Sequence, residues 1–286
     1  MKLLSSQRPV VYTSFKVGLL GVVLAAFSLY QVNNLTTTVA VVSENNGFEH
    51  LLNENTQEIN DHIDLRIDSY IDRRKQEMVS RKYDAYDLAV EQTRTDNHIY
   101  GDEKARFTLV EYSDLECPYC KRFHSIPKKV VDSSSSLVNW QWKHLPLPFH
   151  NPVATVEAQA SECVANIAGN RAFWVFLHAI FDETKGNGQG AGDLINLAQN
   201  IGVDEEKFTQ CVNNGQFREK VARDLQHAKD LGVNSTPVTF VVDNHTGQNV
   251  MLRGLQSPEA IVSTIQRMKK DADTSKDKSA GKGGSE

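Results

Sequence analysis

Cys117-Pro118-Tyr119-Cys120 stands directly after an apolar run and at the start of a helix-forming stretch, and this placement constrains the chain more than any other feature. Thr108-Leu109-Val110-Glu111-Tyr112 reads as a short buried strand. A helix is expected from Cys117 onward, with Pro118 suited to its first turn by its fixed dihedral and missing donor, and Pro127 kinking or ending it. Such a junction sets Cys117 at a helix N-terminus, where unpaired N–H groups and the macrodipole favour a thiolate and lower the thiol pKa. Cys120, three residues on, faces the same side; it can close a disulfide with Cys117 or attack a mixed disulfide that Cys117 has formed. Zinc would need a second closely spaced pair of ligands, whereas Cys163 and Cys211 are lone residues. Covalent haem needs histidine directly after the second cysteine, where the chain has Lys121. No metal or other cofactor is expected.

The alternation of Val138, Trp140 and Trp142 with Asn139, Gln141 and Lys143 has the period of a half-buried strand. Residues 153–231 turn helical, broken by the glycine-rich segment 185–192. Two short apolar runs, 238–242 and 250–252, flank a turn as a hairpin, and Ser257-Pro258-Glu259 opens a last helix. Strand, helix, strand, helices, hairpin, helix is an α/β order, and residues 97–268 are ample for one buried core.

The flanks read differently. Lys2, Arg8 and Lys16 precede an uncharged stretch from Val17 to Val42, the pattern of export. With no clean site of small residues after the apolar run, residues 1–43 are expected to be a cytoplasmic N-terminus and an uncleaved signal anchor, a cleaved signal peptide being the alternative. Either leaves the rest of the chain in an oxidising compartment. Residues 44–96 are expected to form a helical stalk: from residue 48 on they hold neither glycine nor proline, and Ile59, Ile63, Ile67, Ile71 and Met78 recur mostly at fours and sevens. Thirteen acidic and seven basic residues give the stalk a balance of -6 against -5 for the whole chain. Arg66 and Arg74 interrupt its apolar stripe, so a spacer helix and an oligomerisation helix for a homo-oligomer are both open. Residues 269–286 are expected to be a disordered tail. With 31 basic against 36 acidic residues, the chain lacks the basic excess of proteins that bind nucleic-acid phosphates.

Glu111-Tyr112-Ser113-Asp114-Leu115-Glu116-Cys117-Pro118-Tyr119-Cys120, together with Ser235-Thr236-Pro237-Val238-Thr239-Phe240, resembles the thiol:disulfide interchange proteins of the DsbA/DsbG type across residues 98–268. The resemblance implies a thioredoxin fold with a helical insertion and a cis peptide bond before Pro237. It implies a redox pair Cys117–Cys120, with Pro118, Tyr119, Thr236 and Pro237 contacting an extended substrate peptide. Glu111 matches a buried glutamate thought to assist proton transfer, the alternative being a strand-end carboxylate facing solvent. His124 is expected on a solvated helix face rather than tuning the thiolate. Cys163 and Cys211 either form a structural disulfide, with a loop-closure stabilisation of roughly 4 kcal/mol, or are two buried thiols.

The activity implied is thiol:disulfide exchange on exported cysteine-containing proteins, with a membrane redox partner, at the periplasmic face of a bacterial inner membrane. Direction stays open. Pro118-Tyr119 and Thr236 look more like the isomerases, while the size of the insertion looks like the oxidases. The other reading is a tethered thioredoxin-like chaperone whose cysteines are structural.

Overall fold

The computed structural model describes residues 48–89 and 97–280. Residues 1–43, read as a signal anchor, lie outside the described residues, among which no helix is long and apolar enough to cross a membrane.

The chain divides into two units, residues 1–73 and 74–286. Helix α1 spans Phe48–Asp84. In the first unit, its isoleucines at 59, 63, 67 and 71 are exposed.

The second unit is built on a five-stranded sheet in the order β1-β3-β2-β4-β5. The strands are β1 (His98–Tyr100), β2 (Phe107–Ser113), β3 (Val138–His144), β4 (Val238–Asp243) and β5 (Asn249–Arg253). β2 pairs parallel with β3 and antiparallel with β4, so it lies at the centre of the sheet, where both faces are covered and a nearly continuous apolar run is favoured. Leu109 stands beside Trp140 on one side and Val241 on the other. β1 and β5 pair antiparallel at the two edges.

Between β2 and β3 lie α2 (Pro118–Phe123) and α3 (Ser125–Asp132). The break falls at His124, three residues before Pro127, because proline has no N–H to donate to the Phe123 carbonyl. The helical insertion between β3 and β4 comprises α4 (Val153–Glu183), α5 (Leu194–Gln199), α6 (Glu205–Asn213) and α7 (Arg218–Asp230), with Gly169 interrupting α4 at φ 87°. A disulfide joins Cys163 on α4 to Cys211 on α6, as the first of the two readings of that pair expects. Aromatic side chains dominate the core: Trp140, Trp142, Trp174, Phe173 and Phe176 are fully buried.

Two boundaries differ from expectation. The segment read as the end of the stalk belongs to the core: Tyr86 and Ala89 are buried, Tyr83 packs on the same cluster, and Arg171 Nε donates to the Tyr83 and Tyr86 carbonyls. Large aromatic side chains bury too much apolar surface to stay in a solvated spacer. The tail is the second difference. Helix α8 runs Pro258–Ala280, well past residue 268, because Ile261, Ile265, Met268 and Ala272 continue one apolar face at helical spacing.

Candidate active site

β2 ends at Ser113 and the chain turns through Asp114-Leu115-Glu116 into α2. Cys117 occupies the N-cap position of that helix with extended dihedrals, φ -82° and ψ 121°, and Pro118 follows at N1. The turn is held from inside. Asp114 accepts from the backbone N–H of Glu116 at 2.8 Å and of Leu147 at 2.7 Å, and bonds His150 Nδ1 at 2.8 Å.

Both Cys117 and Cys120 carry free thiols, Cys120 being the more deeply enclosed. Opposite Cys117 is the loop before β4, where the Thr236–Pro237 peptide bond is cis and the Thr236 carbonyl accepts from Cys117 Sγ at 3.7 Å. Tyr119 is 56% exposed beside the pair. The structure therefore brings Cys117, Pro118, Tyr119, Cys120, Thr236 and Pro237 to one place.

The electrostatics separate the two thiols. Cys117 is lowered from 9.0 to about 6, first by the Cys120 S–H and further by the Thr236 side chain and the N–H groups of Cys120 and Tyr119, against the opposing effect of burial. The buried Thr236 hydroxyl makes no other hydrogen bond among the described residues, so it is available to a thiolate. Cys120 is pushed well up by burial and by its neighbour. The helix N-terminus invoked from sequence contributes through those two amides, but the second cysteine is the larger cause.

Glu111 is fully buried on β2, so the solvent-facing alternative does not hold. Burial raises it from 4.5 to about 8, against weaker opposing effects of Ser113 and Trp140. When ionised, Glu111 raises Cys120 further, so it lies near the buried member of the pair. His124 departs from expectation: it is buried rather than solvated, its Nε2 bonds the Tyr86 hydroxyl at 3.1 Å, and desolvation holds its pKa near 3. Phe181, Trp140 and Trp142 pack around the ring and leave it only 3% exposed, so its charged form is costly.

Sequence reasoning missed two further buried carboxyls, Glu116 directly before Cys117 and Glu157 beside Glu116. Glu116 accepts from the Thr184 hydroxyl and from the Gly190 amide at 2.9 Å. Glu157 accepts from the Ala191 amide at 2.9 Å. The glycine-rich segment was visible in the sequence, but nothing there linked it to these side chains.

Residues 93–267 match the family model described as Thioredoxin. The chain belongs to the thioredoxin family. Among solved thioredoxin-fold structures it is 35% identical to DsbA2 of Pseudomonas aeruginosa, with a TM-score of 0.56 over 63% of this chain and 98% of that one. BdbD of Bacillus subtilis shares the fold at 23% identity, a TM-score of 0.52, and 63% and 97% coverage. A curated relative, the Na(+)/H(+) antiporter NhaA 3 of Salinispora tropica, is 31% identical over 173 residues, 59% of this chain. The chain spans about a quarter of the length of the curated relatives it matches.

Proposed function

We propose that this protein is a thiol:disulfide oxidoreductase acting on exported proteins through Cys117 and Cys120. The observation that carries the reading is the asymmetry of the pair: Cys117, at the helix start against Thr236, is lowered to about 6, while the more deeply enclosed Cys120 is pushed well up. In the oxidising direction a substrate thiolate attacks Cys117 Sγ of the Cys117–Cys120 disulfide, forming a mixed disulfide and releasing Cys120 as a thiolate that takes a proton. A second substrate thiolate then attacks the substrate sulfur of the mixed disulfide and expels Cys117 as the better leaving group. The substrate loses two electrons and the enzyme pair gains them. We assign to Glu111, held neutral by burial, the supply of that proton to Cys120.

The edge formed by Thr236 and Pro237 is the docking site for an extended peptide, with Pro118 and Tyr119 on the other side. An oxidising, exported location is supported by the Cys163–Cys211 disulfide. A membrane redox partner would return the pair to its disulfide form, and the exposed isoleucine face of α1 is the candidate for self-association.

The thiolate biases the direction. At pH 7 a thiol ionising near 6 rather than 9 stabilises the reduced form by about 1.4 kcal/mol, which makes the couple more oxidising by about 30 mV. The shift favours the disulfide-donor direction, which is the one proposed. An equilibrium titration in glutathione buffers tests it, with the full chain because Tyr83 to Ala89 complete the core. A strongly reducing potential would sink the donor reading, and the absence of any reversible couple would sink the enzyme itself.

A further inference from the structure

Glu116 and Glu157 take no part in the exchange chemistry, yet both are buried next to the reactive turn. Glu116 immediately precedes Cys117. Glu157 lies on α4, and its carboxyl is within hydrogen-bonding reach of Glu116. Glu116 receives two donors, the Thr184 hydroxyl and the Gly190 amide. Its backbone carbonyl also accepts from the Asn187 amide at 2.7 Å. Glu157 Oε1 takes the Ala191 amide, but Glu157 Oε2 is buried without a partner among the described residues.

Two ionised carboxylates have no hydrogen to give each other and would repel in a medium of low dielectric. One proton removes both difficulties, because a protonated Glu157 Oε2 donates to Glu116 and the orphaned oxygen gains its partner. Burial first, then the charges of Glu116 and Asp114, raise Glu157 to about 8, against the Ala191 amide.

We propose that Glu116 and Glu157 share a single proton and act as positioning residues, holding the glycine-rich loop 185–192 against the active-site turn. The loop is built for close approach. Gly186 has φ 76°, and a Cβ there would lie 3.3 Å from both the Glu116 carbonyl oxygen and Pro118 Cγ. Gly188, at φ 79°, would meet the His150 carbonyl oxygen at 3.3 Å. The loop thus borders Pro118, and holding it fixes one wall of the approach to Cys117. Deprotonation leaves two adjacent buried anions, so the loop is released at alkaline pH.

Other charged groups face this pair. Asp114 and its partner His150 lie on the turn and on the 3-10 segment Pro148–His150, and Lys121 on α2 donates to the Asp182 and Thr184 carbonyls. The link to substrate access rests on the exchange reading above; the proton sharing does not.

Hydrogen exchange of the loop amides in the full-length protein, corrected for the intrinsic pH dependence of exchange, tests the proposal without using disulfide chemistry. Protection of Gly190 and Ala191 should be level to about pH 7 and fall about tenfold as the pH passes 8, a loss equal to ~1.4 kcal/mol. Glu157→Gln, whose amide donates permanently to Glu116, should keep protection and abolish the fall. Glu116→Gln removes one neighbouring charge but leaves the burial of Glu157, so it should move the fall to lower pH, and it serves if the first variant does not fold. Level protection to pH 10 in the wild-type protein, or an unchanged fall in either folded variant, overturns the proposal. A failed glutathione titration would instead remove only the exchange reading.

Discussion

The largest single cause of the low Cys117 pKa is a hydrogen bond from its own redox partner, and this can be separated from the helix N-terminus by substitution. A hydrogen bond to a charged acceptor contributes roughly 1.5–3 kcal/mol, or about 1–2 pKa units. Cys120→Ala removes the donor with little change in volume, and the ionisation midpoint of Cys117 should rise from about 6 by at least about one unit. Cys120→Ser keeps an O–H donor at the same place and should leave the midpoint near its original value. The assay is the pH dependence of thiolate absorbance, cross-checked by the rate of alkylation at Cys117. Neither readout needs Cys120 to be a thiol. In both variants Tyr119 and residue 120 still present their backbone amides, so whatever those amides supply is held constant. A midpoint unmoved in Cys120→Ala, or moved equally in both variants, would refute the reasoning and return the thiolate to Thr236 and the helix N-terminus.

The structure leads to three other outcomes. Cys163→Ser with Cys211→Ser opens a loop of 48 residues' separation and should cost about 4 kcal/mol in the chain-entropy model, seen as a lower denaturation midpoint in urea. His124 is neutral in the folded state down to about pH 3 but protonates near 6.5 when unfolded, so stability is lost as pH falls below 6.5. His124→Leu should flatten that acid limb by about 2 kcal/mol at pH 5, and thermal melts of the two proteins that stay parallel from pH 7 to 5 would contradict this. Glu111 has the opposite sign: neutral when folded up to about pH 8 and ionised when unfolded above 4.5, it lowers stability as pH rises between those values. In Glu111→Gln the decline from pH 4.5 to 7 should shrink by roughly 3 kcal/mol, and a variant melting with the wild-type slope would mean that Glu111 is ionised in place.

Local periodicity carries the part of the fold that is legible in the sequence. β2, β3, the β4–β5 hairpin and the helical insertion are written in runs and alternations, and Cys117 at a helix start is written in strand, cysteine and proline in order. The pairing of Cys163 with Cys211 was open because two lone cysteines carry no geometry. The groups that escaped are polar side chains whose partners are distant in sequence. His124 reads as solvated because charged and polar neighbours surround it along the chain, yet it meets Tyr86, 38 residues upstream. His98, Glu162 and His144 join across β1, α4 and β3, and Lys220 reaches Glu162 from α7. Each such residue would be costly to bury singly, so its burial is knowable only when the partner is in view.

The same cost explains how a thiolate can be held beside so many acids. An ionised carboxylate behind Cys120 would oppose the negative charge on Cys117 and undo part of the lowering that Cys120 supplies. Burial keeps Glu111 in its neutral form to about pH 8, and the charge it would have placed next to the pair is absent over the range where Cys117 is ionised. Glu157 is raised to the same range by burial together with the neighbouring acids. Between about pH 6 and 8 the Cys117 anion therefore coexists with two proton-bearing carboxyls, Glu111 and Glu157. The stability that Glu111 and Glu157 surrender there, by staying neutral while the unfolded chain would ionise them, is the thermodynamic cost of that arrangement.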